Sequence, residues 1–254
     1  MKKLVLTGGA NGIGRAIVEQ LIDETEVYVI DKDQEAGEAL VKGHSSPHLH
    51  FYYGDLGDSS DLENFVQFIK ERTDRIDGFI HNAAINKGGL LSKASYVDFM
   101  EVLKVNVGSA YYLTQQLEEL FSESFSIVLM SSTRNRQSMG DNESYSSSKG
   151  ALLSLTHTMA NSLRGKARVN AISPGWIETS EYQLGTEKSE LTPSDSAQHL
   201  VGRVGVPLDI FHMVQFLLDE SKSGFITGQE FVVDGGMSKQ MIYHDEHGWK
   251  YNQN

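Results

Sequence analysis

The sequence predicts a doubly wound α/β fold, a parallel sheet with helices on both faces. Three observations carry this. Short apolar runs alternate with stretches of helical period from the first residues onward. The runs are rich in β-branched and aromatic residues, as in Glu26–Asp31 (EVYVID) and Asp77–Asn82 (DGFIHN). The 254 residues suit one large domain, and right-handed crossovers then lay helices on both sides of the sheet.

Each element has its own signal. Lys3–Thr7 reads as the first strand, ended by Gly8 and Gly9. Ile13–Ile22 spaces its aliphatic residues at helical intervals. Glu26–Asp31 is the second strand, Gln34–Lys42 a short helix, and residues 43–48 (GHSSPH) a loop. His50–Gly54 is a third strand, with a helix over Ser60–Arg72 and a fourth strand over Asp77–Asn82. One long helix is expected over Tyr96–Phe121, a fifth strand over Phe125–Ser132, and a second long helix over Tyr145–Leu163, with Gly165 as its stop. Ala167–Ile172 and Glu230–Val233 complete the strands, and Pro207–Leu218 is a late helix opened by a first-turn proline. Residues 178–204 are polar and weakly periodic, which suits a lid over a substrate. The expected organisation is one domain over residues 1–237 and a polar tail over 238–254 at a subunit interface.

Composition narrows the function. Against 22 Lys and Arg stand 34 Asp and Glu, a formal net charge of −12. That argues against nucleic-acid binding, which uses basic patches over phosphates, and against docking on anionic membranes. The chain has no cysteine, which excludes disulfides, thiolate catalysis and Cys-ligated zinc. The N-terminal apolar run is too short for a signal peptide, and no stretch approaches the length of a membrane span. A cytoplasmic location is expected.

Thr7–Gly14 (TGGANGIG) follows the first strand and opens the first helix. Gly8, Gly12 and Gly14 let backbone approach a pyrophosphate, while the helix start, with Asn11 and Ile13, offers aligned N–H groups. In a strand–turn–helix context this is the signature of a Rossmann-type dinucleotide site. Asp31 ends the second strand, where a carboxylate accepts from ribose hydroxyls and repels a 2′-phosphate. NAD(H) is therefore expected over NADP(H), with Lys32 partly offsetting the repulsion. The alternative for Asp31 is a turn-initiating role.

Tyr145 and Lys149 lie four positions apart on a predicted helix and so share a face. A nearby ammonium favours tyrosinate, bringing the phenol toward neutral pH as an acid/base for a carbinol oxygen. Ser132 is expected at the end of the fifth strand, on the sheet edge where α/β proteins bind ligands, with its hydroxyl toward the reacting oxygen.

In the order of these motifs the chain resembles the classical short-chain dehydrogenases/reductases over about Lys3–Met237. Thr7–Gly14 is similar to the family's glycine motif, and Asp55-Leu56 to its adenine-contacting pair. Asn82-Ala83-Ala84 is similar to the motif after the fourth strand, with Ala84 in place of the usual glycine. Asn106 is similar to a helix-embedded asparagine, and Ser132 precedes Tyr145 by 13 positions as the family's serine does. Tyr145 to Lys149, Pro174-Gly175, Arg203, Gly205, Pro207, Thr227-Gly228 and Asp234-Gly235-Gly236 continue the pattern. The resemblance implies Tyr145 as general acid/base, with Lys149 lowering its pKa and holding the nicotinamide ribose. It implies Ser132 as the residue that orients substrate and Asn106 as support for a proton-relay water. Ile177 and Thr179 would hold the nicotinamide carboxamide. It further implies a homotetramer or homodimer, with the two long helices forming one contact.

Arg134 and Arg136, close after Ser132, offer guanidinium groups for an anionic substrate; alternatively they are solvated or paired with Asp141 or Glu143. Trp176 suits an apolar wall beside the nicotinamide or core packing, and Tyr182 and Gln183 lie in the expected lid. His244, Asp245, Glu246 and His247 are metal-capable types at a spacing that matches no standard site, so no metal is expected. The leading expectation is an NAD(H)-dependent oxidoreductase interconverting a secondary alcohol and a ketone. The alternatives are an NADPH-dependent 3-oxoacyl carrier-protein reductase and a catalytically silent dinucleotide-binding sensor or scaffold. Asp31 and the acidic surface weigh against the former, and the presence of Asn106, Ser132, Tyr145 and Lys149 together weighs against the latter.

Overall fold

In the computed structural model, which describes residues 1–241 and 243, a parallel sheet of seven strands runs through the molecule. The strands are β1 (Lys2–Thr7), β2 (Thr25–Asp31), β3 (Leu49–Tyr53), β4 (Ile76–His81), β5 (Phe121–Met130), β6 (Ala167–Pro174) and β7 (Glu230–Val233). Their order is β3-β2-β1-β4-β5-β6-β7. The order reverses between β1 and β4, which opens a crevice at their carboxyl ends, where Thr7 pairs with His81.

The helices are α1 (Gly12–Leu21), α2 (Gln34–His44), α3 (Ser59–Lys70), α4 (Tyr96–Leu103), α5 (Ser109–Leu117), α6 (Glu143–Ser162), α7 (Pro193–Ala197), α8 (Pro207–Leu218) and α9 (Glu220–Ser223). Alternate strand residues point to opposite faces and so build two cores. Val5, Tyr28, Phe79 and Ile127 pack under α3, α5 and α6. Leu4, Val29, Ile80 and Val128 pack under α1, α2 and α8. Because both faces are covered, the strands read as near-continuous apolar runs.

Three expectations are corrected. The long helix expected over Tyr96–Phe121 is α4, a π-helical turn over Lys104–Gly108, α5 and a 3-10 turn over Glu118–Leu120. Apolar spacing hides an i→i+5 turn, because one extra residue shifts the buried face without ending it. The fifth strand begins at Phe121 and ends at Met130, so Ser132 lies beyond it as the N-cap of a 3-10 turn over Thr133–Asn135. Residues 43 and 44, expected in a loop, close α2, which ends on Ser45 in the left-handed conformation. The short α9 carried no periodic signal.

Residues 178–204 contain a 3-10 turn (Ser180–Tyr182) and α7 and are largely exposed. A bridge between Ile177 and Gly205 closes their base, and Arg203 grips Asp209 at the start of α8 with two hydrogen bonds of 2.7 Å. Among the described residues no helix is long and apolar enough to cross a membrane, and no group of three or more His, Asp or Glu could hold a metal ion. The tail motif His244–His247 lies outside the described residues.

Candidate active site

The glycine loop is shaped by left-handed backbone and by close contacts. Gly8 and Gly12 have φ of +72° and +60°, in the left-handed region. A Cβ at Gly14 would meet the Gly8 carbonyl oxygen at 1.9 Å and Asn82 Nδ2 at 2.6 Å. Asn82 Nδ2 donates to that carbonyl at 2.8 Å, which ties the loop to β4. The start of α1 is left open, since Asn11 makes no side-chain cap. Asn11 instead donates to Asp33 at 2.7 Å and accepts from the Leu184 N–H at 3.2 Å, joining the loop to the 178–204 segment. Such a cradle fits a pyrophosphate on a helix N-terminus.

Beside it lies a cavity of about 380 Å³ lined by Gly8, Asn11, Asp31, Asp55, Leu56 and the 82–84 segment, among others. Asp31 Oδ2 accepts from the Ala10 N–H at 2.9 Å and Oδ1 from the Asp33 N–H at 3.0 Å, so its carboxylate is fixed at the rim. Asp33 and Glu101 also line this cavity and were not singled out from sequence; both belong to elements whose turn toward the crevice has no local motif. Lys32 is exposed on the same wall. Asp55 is exposed and closes a turn on the Gly57 N–H at 2.7 Å, whereas the Leu56 side chain is mostly in the core. A dinucleotide's adenosine end fits this cavity.

The second cavity, about 590 Å³, is lined by Ser132, Arg134, Tyr145, Gly175, Trp176 and Ile177, among others. Ser132 and Tyr145 are within hydrogen-bonding reach. Burial pushes the Tyr145 phenol above its ordinary value, while Ser132 and the charge of Arg134 pull it back. This corrects the expectation that Lys149 brings the phenol down. Lys149 is itself almost wholly buried, and desolvation pushes its ammonium down to about 7. Its Nζ donates to the Met130 carbonyl at 2.7 Å and stands 5.4 Å from the centre of the Tyr145 ring. The two side chains do share a face, as their spacing predicts.

Asn106 sits fully buried in the π-helical turn. Its side chain bridges Ile85 N–H at 2.8 Å, Ile85 carbonyl at 3.0 Å and Ser148 Oγ at 2.9 Å. Its own carbonyl lies 3.0 Å from His81 Nε2. A carbonyl only accepts, so Nε2 carries the proton and Nδ1 accepts from Thr7 Oγ1, at 3.0 Å. Thr7 Oγ1 in turn accepts from the Asn82 and Ala83 N–H groups. Burial, with the Lys149 charge, pushes His81 down to about 3. His81 was not singled out; its signal was a histidine ending the apolar run Phe79-Ile80.

Pro174 ends β6, and a Cβ on Gly175 would strike Asp234 at 2.6 Å, so the chain there passes close under the last strand. Thr179 faces the glycine loop across the crevice, its Cβ 3.8 Å from where a Gly12 Cβ would stand, and its hydroxyl accepts from Gln183 at 2.9 Å. Trp176 tilts against His199 at 6.0 Å between ring centres. Tyr182 and Gln183, in the segment expected to form a lid, do not line either cavity. Arg136 is exposed and pairs with Glu230, not with Asp141 or Glu143.

Known proteins resemble this chain along its whole length. A family model described as enoyl-(acyl carrier protein) reductase matches residues 8–238. An uncharacterized oxidoreductase of Thermotoga maritima is 38% identical, with 96% of this chain and 98% of that protein covered. A 3-oxoacyl-(acyl-carrier-protein) reductase FabG of Aquifex aeolicus is 30% identical, with 93% and 97% covered. The solved structure of an apo SCOR enzyme from Clostridium thermocellum, 36% identical, superposes with a TM-score of 0.89 over 100% of this chain and 99% of that one. The chain belongs to the short-chain dehydrogenase/reductase family of oxidoreductases.

Proposed function

We propose that the protein is an NAD(H)-dependent oxidoreductase that interconverts a small secondary alcohol and a ketone, with Tyr145 as general acid/base. The observation that carries this is the convergence of Ser132, Tyr145 and buried Lys149 beside a glycine cradle. A bound nicotinamide dinucleotide supplies or accepts the hydride. Gly8, Asn11, Gly12, Ile13 and Gly14 would hold its pyrophosphate, Asp31 its adenosine ribose, and Asp55, Leu56, Asn82, Ala83 and Ala84 the adenine side. Pro174, Gly175, Ile177 and Thr179 would flank the nicotinamide, and Lys149 its ribose.

In oxidation, Tyr145 as phenolate takes the hydroxyl proton while the carbinol hydrogen departs as hydride; in reduction it returns the proton to the carbonyl oxygen. Ser132 holds that oxygen by a hydrogen bond. Lys149, with a pKa pushed down to about 7, exchanges protons near neutrality. The Asn106 carbonyl keeps a second lone pair for the water of a relay to solvent. Trp176 walls the nicotinamide side. Residues 178–204 act as the lid of a single domain spanning 1–237.

The NAD preference rests on charge. Four carboxylates, Asp31, Asp33, Asp55 and Glu101, line the adenosine cavity against Lys32 alone, an unfavourable setting for a 2′-phosphate. Exposed Tyr96, Val97, Met100 and Tyr111 on α4 and α5 support assembly as a homodimer or homotetramer.

A substrate screen in both directions tests the reading: NAD⁺ with secondary alcohols and hydroxy acids, NADH with the matching ketones, and NADP(H) in parallel. Turnover with NAD(H) is expected. Turnover with NADP(H) alone would overturn the role given to the acidic cavity, and binding without turnover would favour a silent sensor.

A further inference from the structure

The catalytic cavity has an electrostatic character that neither the fold nor the proton chemistry requires. Thirteen residues line it, and none is Asp or Glu, in a chain that carries 34 of them. Its one charged side chain is Arg134. The half-buried guanidinium donates through Nη1 to Asn142 Oδ1 at 2.7 Å and through Nη2 to Met139 Sδ at 3.2 Å. A thioether is a weak acceptor, and the amide is neutral. Asn142 is buried and braced by Asn86 Nδ2 at 3.1 Å on the same oxygen, so the guanidinium is held in place before any ligand arrives.

The nearby acids are committed elsewhere. Asp141 accepts from the Ser92 N–H at 2.9 Å and hydroxyl at 3.0 Å, and Glu143 from the Leu90 N–H at 3.1 Å. Among the described residues no carboxylate forms an ion pair with Arg134, whereas Arg136, two positions on, has Glu230. A positioned guanidinium with spare N–H donors and no counter-charge, in a cavity free of acids, is a receptor for a carboxylate. A single cation balances a monoanion; a phosphate monoester, close to two negative charges at neutral pH, would call for a second.

We propose that Arg134 binds the carboxylate of the substrate, so that the enzyme acts on small hydroxy acids and the corresponding oxo acids. The proposal rests on Tyr145 and Ser132 marking the reacting carbon. The acid's carboxylate lies against Arg134 while its hydroxyl lies against Ser132 and Tyr145. The oxidation step is the one given above: the carbinol C–H bond breaks with hydride going to the oxidised dinucleotide, and the O–H proton goes to Tyr145.

The test uses pairs in which charge alone changes: 2-, 3- and 4-hydroxy acids of short chain, each beside its methyl ester. The readouts are kcat/KM for each, and binding of each to protein saturated with NADH or NADPH, measured by calorimetry. The variants are Arg134→Gln and, as control, Arg136→Gln. For one spacing, the acid is expected to exceed its ester by about tenfold or more in both readouts, and Arg134→Gln to bring that ratio near one. Because Arg134 also bears on Tyr145, absolute rates shift in the variant, and the acid-to-ester ratio removes that effect. Arg136→Gln keeps the wild-type ratio. An acid-to-ester ratio near or below one at every spacing would overturn the proposal, as would a high ratio unchanged in Arg134→Gln. The binding arm needs no turnover, so preferential acid binding lost in Arg134→Gln would uphold the anion site even if the oxidoreductase reading failed.

Discussion

The two cavities at the carboxyl edge of the sheet carry opposite charge. The adenosine side, between β1, β2 and β4, presents Asp31, Asp33, Asp55 and Glu101. The catalytic side, beyond β4 and β5, presents no carboxylate and one guanidinium. Net charge therefore says little about the charge of one site: an overall charge of −12 coexists with a pocket whose one charged side chain is a guanidinium. His81 stands on the partition, bonded on one side to Thr7 of the glycine loop and on the other to Asn106 of the π-helical turn. The two halves are thus joined by a neutral, fully bonded core histidine rather than by charge.

The contrast can be broken from the catalytic side first. Lys149→Met is expected to lower turnover by about 10²–10⁴-fold, the range for losing a positioned proton-transfer group, with a smaller loss of NADH affinity. Steady-state rates beside NADH titrations check it; equal losses in both would make Lys149 a cofactor anchor alone. From the adenosine side, Asp31→Ala is expected to raise the NADPH-to-NADH ratio of kcat/KM by about tenfold, one charge–phosphate repulsion at partial exposure. An unchanged ratio would move selectivity to Asp33 or Glu101.

The partition gives a pH signature in stability rather than in rate. His81 has a folded pKa of about 3 against an ordinary 6.5. Between those values the unfolded chain binds the extra proton, so stability falls as pH drops from about 6.5 toward 3. Lys149, at about 7 folded against 10.5, makes stability rise between pH 7 and 10.5. Urea midpoints across pH should show both slopes, and His81→Gln should flatten the acid one by on the order of a few kcal/mol at its foot. An unaltered acid slope would contradict a buried neutral histidine.

What the sequence made legible follows from where the information sits. The glycine loop and the Tyr145–Lys149 pair each lie within one element, so spacing alone fixes their geometry. The alternation of strands and helices was legible because short apolar runs differ from helical periods. The π-helical turn at Asn106 was hidden because its apolar spacing imitates an unbroken helix. Met139 and Asn142 share the loop between the 3-10 turn and α6, Asn86 comes from the loop after β4, and neither loop has a period that reveals how it folds around Arg134, so the state of that guanidinium had no sequence signal. The pKa of Tyr145 was misjudged for a related reason: spacing reveals that Lys149 is near, but not that burial weakens its own charge.

The most direct measurement is a comparison of wild type and Tyr145→Phe, with NADH affinity from fluorescence titration and single-turnover hydride transfer from nicotinamide absorbance, on the best substrate of the screen. The substitution removes one hydroxyl and keeps the ring that packs near Lys149. NADH affinity within about threefold of wild type, with transfer slowed by about 10³-fold or more, is the predicted result. Transfer at a wild-type rate in Tyr145→Phe would contradict Tyr145 as the acid/base and the account built on it.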